Sequence, residues 1–169
     1  TNGGNTAVGR KALKANTGPV NTAVGGKTLE SNTSGGSNIA MGYAALTQNT
    51  TGSSNVALGR NALYTNTTAD NNTAIGRNAL ELNTTGTENV AVGTYSLDAN
   101  TTANSNVAVG YNTLGANTTG AQNVAIGAQC LPANTTASNN VAVGNESMQN
   151  KNSGQYNTAV CSLSLRSQT

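Results

Sequence analysis

The chain lacks tryptophan, phenylalanine and histidine, and its only aromatic residues are tyrosines, which make up 3% of the sequence. Without histidine, and with two cysteines that stand far apart, the sequence offers neither a Ser-His-Asp triad nor a Cys/His zinc site. It therefore predicts a protein that is not an enzyme and that uses no cofactor or metal.

Charge is scarce as well. Charged residues make up 8% of the chain, against about 25% in ordinary soluble domains. The net charge is +2, and the tyrosines do not alternate with basic residues, so nucleic acid is not a predicted partner. No apolar run approaches the roughly 20 residues that a membrane helix requires, so no membrane span is predicted.

What the sequence contains instead is a repeat, typified by Asn106-Val107-Ala108-Val109-Gly110. Its leading asparagine returns every 17 residues, after a first unit that is one residue shorter. We number the positions of each unit from this asparagine and call each set of equivalent positions a column. A composition rich in Asn, Thr, Gly, Ala and Ser can indicate disorder. Disordered chains do not keep alanine, an aliphatic residue and leucine in fixed columns, so we predict an ordered structure.

Columns two to four predict one short strand per unit, because a β-branched or aliphatic residue alternates with the alanine of column three. Column five is glycine except at Cys161, and it is predicted to turn a corner with positive φ. Columns six to eleven, with leucine in column nine, fit either a second strand or one helical turn. The Asn-Thr-Thr run that begins at column twelve is turn chemistry. The predicted turn glycines are Gly59, Gly76, Gly93, Gly110 and Gly127.

So short a strand must pair with the strand of the next unit, which predicts an all-β fold, a parallel β-solenoid with one 17-residue repeat per coil. Residues 1–4 are interpreted as the remainder of a preceding repeat, 5–156 as an array of nine units, and 157–169 as a degenerate terminal unit or cap. The predicted structural core comprises Ala57, Leu58, Leu63, Ala74, Ile75, Leu80, Ala91, Val92, Leu97, Ala108, Val109 and Leu114.

The alanine of column three bears on the oligomeric state. It faces away from columns two and four, and a small residue in every unit indicates a face that packs closely against something. Two explanations follow: sister chains around an axis, most simply a homotrimer, or cover within the same coil.

Units such as Asn123-Val124-Ala125-Ile126-Gly127 resemble the Ser-Val-Ala-Ile-Gly repeats in the heads of trimeric autotransporter adhesins. The longer pattern over residues 72–80, followed by Asn83-Thr84-Thr85-Gly86, looks like repeats in phage tail fibres and related bacterial surface fibres. The resemblance covers residues 5–165, although the adhesin heads repeat at a shorter period. It implies a trimeric, left-handed parallel β-roll with an attachment role, and it brings no catalytic residue.

The asparagines of column twelve begin Asn-Thr-Ser/Thr sequons. In a secreted chain they would be glycan acceptors on an exposed edge, with the neighbouring threonines as O-linked sites. Stacked asparagines also form amide ladders, which is the alternative. The candidate acceptors are Asn32, Asn49, Asn66, Asn83, Asn100, Asn117 and Asn134.

Two acidic residues and two cysteines complete the candidates. Glu81 and Asp98 share column ten in neighbouring units, and carboxylates about 5 Å apart are used by retaining glycosidases. Column ten also holds Tyr64, so we interpret it as a varying, solvated surface. Cys130 and Cys161 lie two units apart, roughly 9–10 Å on stacked coils. Because bridged Cα atoms lie within about 7 Å, we expect free thiols or pairing between chains.

Taken together, these features predict a structural, attachment-type segment of an extracellular fibre at a cell or virion surface. Its predicted partners are sister chains, in a homotrimer or filament, and surface glycans or a host receptor contacted by the varied columns six, seven and ten. One alternative is a filament subunit that stacks end to end through open coils. Another is an ice-binding solenoid that uses the threonine ranks of columns thirteen and fourteen.

Overall fold

A computed structural model describes residues 3–150 and 153–165, and within them the chain is a parallel β-solenoid. Ten strands of three residues each form one sheet, and they follow the order of the sequence. No helix occurs in the described residues, so the predicted fold class is confirmed. The strands are β1 Thr6–Val8, β2 Thr22–Val24, β3 Ile39–Met41, β4 Val56–Leu58, β5 Thr73–Ile75, β6 Val90–Val92, β7 Val107–Val109, β8 Val124–Ile126, β9 Val141–Val143 and β10 Thr158–Val160.

Neighbouring strands pair in register, so that equivalent residues of successive coils lie above one another. Ala74 of β5 pairs with Ala91 of β6, and the same alanine column runs through the whole sheet. The pairing of Thr6 with Thr22 absorbs the shorter first unit without a shift of register. Strand β10 continues the sheet into the predicted terminal unit, whose last residues, 166–169, lie outside the described part of the chain.

The segment after each corner glycine is neither a second strand nor a helical turn, so both predictions for columns six to eleven are wrong. It is a run of turns whose backbone still bonds between coils. Asn78 N donates back to Arg60 O at 2.9 Å, whereas Leu80 N donates forward to Ser96 O at 3.0 Å. Alternate residues take positive φ, 58° at Asn78 and 51° at Leu80. This conformation costs a leucine about 1–2 kcal/mol, so residue propensities do not predict it.

The interior of the coil is narrow, and two columns fill most of it. From the second coil to the ninth, the alanines of column three and the leucines of column nine, with Met148 in the last of these coils, are fully buried and form one continuous cluster. The small residues of column eight, such as Ala79 and Ser96, complete it, although the sequence analysis did not single them out. Of the predicted core residues, the structure buries Ala57, Leu63, Ala74, Leu80, Ala91, Leu97, Ala108 and Leu114.

The other four predicted core residues are a correction. Leu58, Ile75, Val92 and Val109 lie in column four, and their side chains lie at the outer surface of the sheet, with Ile75 38% exposed. Alternation in a strand puts columns two and four on one face and column three on the other. The leucines of column nine share the interior with the strand, and the inner side of the strand carries only alanine. The larger aliphatic residues of the strand therefore face outward.

The alanine face is therefore covered by the chain's own coil. Ala57, Ala74 and Ala91 are 0% exposed in the single chain. The prediction that this face packs on sister chains is wrong. The alternative is confirmed, because the alanines are covered by other residues of the same chain. Whether the chain forms a homotrimer stays a prediction, and it must rest on another surface.

Candidate functional surfaces

The asparagines of column twelve form an amide ladder inside the solenoid. Asn83 donates through Nδ2 to Asn66 Oδ1 at 3.0 Å and to Gly86 O at 2.9 Å, and it accepts from Asn100 Nδ2 at 2.9 Å. In the folded chain these amide nitrogens point inward and cannot hold a glycan, so the prediction that they are exposed acceptors is wrong. The ladder comprises Asn32, Asn49, Asn66, Asn83, Asn100, Asn117 and Asn134, all at most 1% exposed.

The leading asparagines form a second buried ladder. Asn89 Nδ2 donates to Ala103 O at 2.8 Å, and the backbone N of Asn106 donates to Asn89 Oδ1 at 3.0 Å. Each side chain thus satisfies a turn carbonyl of its own coil and a backbone N–H of the next. Because buried amides need partners in both directions, neither ladder tolerates another residue type without loss.

The corner glycines are needed for two reasons. Gly59 has φ of 139°, a conformation that side chains rarely adopt. A Cβ built on Gly59 would also lie 2.5 Å from the carbonyl oxygen of Gly76 on the next coil. The structure places the other predicted glycines at equivalent corners, Gly76, Gly93, Gly110 and Gly127, with φ between 130° and 138°.

The two threonine ranks differ from each other. In column thirteen the hydroxyls bond along the axis: Thr50 Oγ1 donates to Thr67 O at 2.9 Å, and Thr84 Oγ1 donates to Thr101 O at 3.0 Å. Column fourteen, represented by Thr85, is the rank that is exposed from the second coil to the eighth. The ice-binding alternative uses the hydroxyls of both ranks. In this structure the column-thirteen hydroxyls of Thr50 and Thr84 already bond to the next coil.

The acidic pair of column ten lies beside amide side chains of neighbouring residues. Glu81 accepts hydrogen bonds from the amides of Asn61 and Asn78. Burial raises the pKa of Asp98, and the negative charge of Glu81 adds to this effect. Across residues 3–150 and 153–165 no three acidic, cysteine or histidine side chains are grouped as a metal would require.

The two cysteines are in different surroundings. Cys130 is buried in column eight, its thiol donates to Ala142 O at 3.2 Å, and burial raises the pKa of this thiol to about 11. Cys161 is exposed at the corner where other units have glycine. Both are free thiols within the chain.

The outer side of the sheet is an apolar face, which we call the strand face and define as columns two and four of β1 to β10. Sixteen of its twenty side chains are Val, Ile, Leu or Met, the other four are Thr, and none is charged. All are at least partly exposed, from intermediate values at Val92 and Val109 to 45% at Met41 and 67% at Val160. The sequence does not predict this face, because aliphatic residues such as those of column four are usually buried.

Columns six, seven and ten, which together we call the variable edge, differ from the strand face because they include charged side chains. Lys27 Nζ lies 5.9 Å from the ring centre of Tyr43, and Arg77 lies 5.7 Å from that of Tyr95. Lys11 pairs with Glu30 at 3.0 Å, and the hydrogen bond from Lys11 lowers the pKa of Glu30. These side chains contact near neighbours and solvent. Such contacts do not require one residue type, which explains why these columns vary.

Comparisons with protein-family models, with curated proteins and with solved structures found no match to this chain. In the part of the chain that the structure describes, no helix has the length and apolar character to cross a membrane.

Proposed function

We propose that this chain is a structural, attachment-type segment of an extracellular fibre, in which three copies associate through their strand faces and present their variable edges outward. The observation on which the proposal chiefly depends is the strand face, an uncharged and mainly aliphatic surface that runs along every coil. Large exposed apolar surfaces mark sites of association rather than free surface.

The strand face is large enough to take part in an interface. Ten strands at a spacing of about 4.8 Å, each about 10 Å long, give a face of roughly 430 Å² in projection. The largest apolar patch on a typical monomer is about 300–600 Å², and it is often functional. The accessible area exceeds the projection because the side chains protrude, which brings it towards the roughly 800 Å² per partner of a standard interface.

The regularity of the face supports a second copy of the chain as the partner. Its side chains repeat with the rise of one coil, so a sister chain that lies parallel meets the same spacing along its whole length. The number three is taken from the resemblance to trimeric fibre repeats. The two amide ladders and the continuous sheet make each chain stiff along its axis, which suits a rod that holds binding surfaces away from a cell or virion.

The mass of the chain in solution, measured by sedimentation equilibrium over a range of concentrations, tests the proposal. We expect three times the 16.8 kDa of one chain. A mass of 16.8 kDa at all concentrations would overturn the assembly, and a dimer would overturn the number of chains.

A further inference from the structure

A cleft of about 500 Å³ opens on the variable edge across the first five coils. Its floor is formed by Ala44 and Thr47, which are 2% and 9% exposed. The third coil has these small residues in columns seven and ten, whereas the second coil has Lys27 there and the fourth has Tyr64. The cleft is therefore deepest at the third coil, where these side chains are small, and its volume is in the range of ligand sites.

We propose that this cleft binds a short chain of neutral pyranose sugars. The inference rests on the proposed attachment function and names the class of ligand that one copy of the edge would hold. Its first support is aromatic. Tyr43 is 50% exposed and Tyr64 is part of the lining, and the C–H side of a sugar packs favourably on aromatic rings.

The second support is the supply of hydrogen-bonding groups, since sugar hydroxyls both donate and accept. Glu81 and Asn61 lie in the wall, and Asn61 Nδ2 approaches Glu81 Oε1 at 3.3 Å, a long contact that a sugar hydroxyl can replace. Thr47 uses its hydroxyl hydrogen on Lys27 O at 2.8 Å and keeps its lone pairs as acceptors. Polar and charged side chains make up most of the lining, which matches a ligand whose surface is covered with hydroxyls.

The third support is the charge. The lining has two lysines, Lys11 and Lys27, and two glutamates, Glu30 and Glu81, so its charges cancel. Lys11 is already paired with Glu30 at 3.0 Å. A polyanionic sugar would have to compete with that pair and would face Glu81, and a neutral sugar avoids both costs.

The fourth support is the length. Five coils at about 4.8 Å span roughly 19 Å, which accommodates an extended oligosaccharide of a few residues. The rise of one coil is close to the length of one pyranose unit, so successive sugars meet successive coils.

The test is titration calorimetry on the full chain with cellotetraose, maltotetraose and chitotetraose as neutral probes and tetragalacturonate as an acidic one. We expect at least one neutral probe to bind, and Ala44→Tyr to weaken that binding by about tenfold or more. Tyr95 occupies the same column at φ of 58°, against 60° at Ala44, so tyrosine suits this backbone. The matched control is Gln129→Tyr, which is in the same column outside the cleft and should leave the affinity unchanged.

The proposal is overturned if no neutral probe binds, if only tetragalacturonate binds, or if Ala44→Tyr and Gln129→Tyr behave alike. If Ala44→Tyr fails to fold, Tyr43→Thr is tested in its place. It removes an aromatic ring from the cleft and should also weaken the binding of the neutral probe. Thr94 shows that threonine fits this column. The mass in solution is measured on the same samples. A trimer that binds no sugar removes the cleft alone, whereas a single-chain mass removes the proposed assembly.

Discussion

The columns that hardly vary and the variable edge differ in what their side chains touch. Asn83 of column twelve bonds to Asn66 below and Asn100 above, so its identity is fixed from both sides. Column ten holds Asp98 and then Gly115 in successive coils, so this column does not require one residue type. In this fold, a residue type repeats where one coil must match the next, and it varies along the variable edge, where no such match is required.

The largest expected effect comes from filling a corner. Gly59→Ala places a Cβ 2.5 Å from Gly76 O at φ of 139°, so the coils must separate or the corner must deform. We expect a loss of about 3 kcal/mol or more in the free energy of unfolding, measured with urea.

The control for the corner is the next residue along the chain. Arg60 is exposed on the variable edge, and Arg60→Ala should change stability by less than about 0.5 kcal/mol. Equal effects at Gly59 and Arg60 would contradict the distinction between fixed and variable columns.

A smaller loss is expected from the amide ladder. Asn83→Ala removes a donor to Asn66 and Gly86 and leaves Asn100 Nδ2 without that acceptor, which should cost about 2 kcal/mol. Thr85→Ala, two residues away and exposed, is the matched control with little expected change. If both variants unfold at the same urea concentration, the ladder is not a source of stability.

The smallest expected effect is chemical. Because burial raises the pKa of Cys130 to about 11, only Cys161 should react with a thiol reagent in the native chain, and both should react in denaturant. The native thiol keeps its proton above pH 9, where the unfolded thiol has lost it, so stability should fall as pH rises from about 9 to 11. Two reactive thiols in the native chain at pH 8 would contradict the burial of Cys130.

Much of the fold could be predicted from the sequence, because the period places equivalent residues in register whatever the coil looks like. The strands follow from the alternation in columns two to four, and the corners follow from the glycine of column five. The direction of the faces did not: Ile75 was assigned to the core because aliphatic residues are usually inside, and only the narrowness of the coil reverses this rule. The sequons at Asn66 and Asn83 were ambiguous for the same reason, since burial decides between an acceptor and a ladder.

The cleft was also beyond prediction from the sequence. Nothing in the sequence distinguishes Ala44 and Thr47 from other small residues. They form the floor of the cleft only because columns seven and ten of neighbouring coils lie on one edge. The segment between the corner and the ladder bends through alternating positive φ, which propensities do not suggest for leucine. From the sequence alone, the variation in columns six, seven and ten predicts a surface that presents different side chains to a partner. It does not predict a cavity.

The mass in solution of two paired variants tests the role of the strand face most directly. One has lysines on the strand face, Val107→Lys with Val109→Lys, and the other has lysines on column fourteen, Thr102→Lys with Thr119→Lys. We expect the first to sediment as a folded chain of 16.8 kDa and the second to keep three times that mass. If both variants keep the mass of the unmodified protein while circular dichroism shows them folded, the strand face is not the surface that joins the chains.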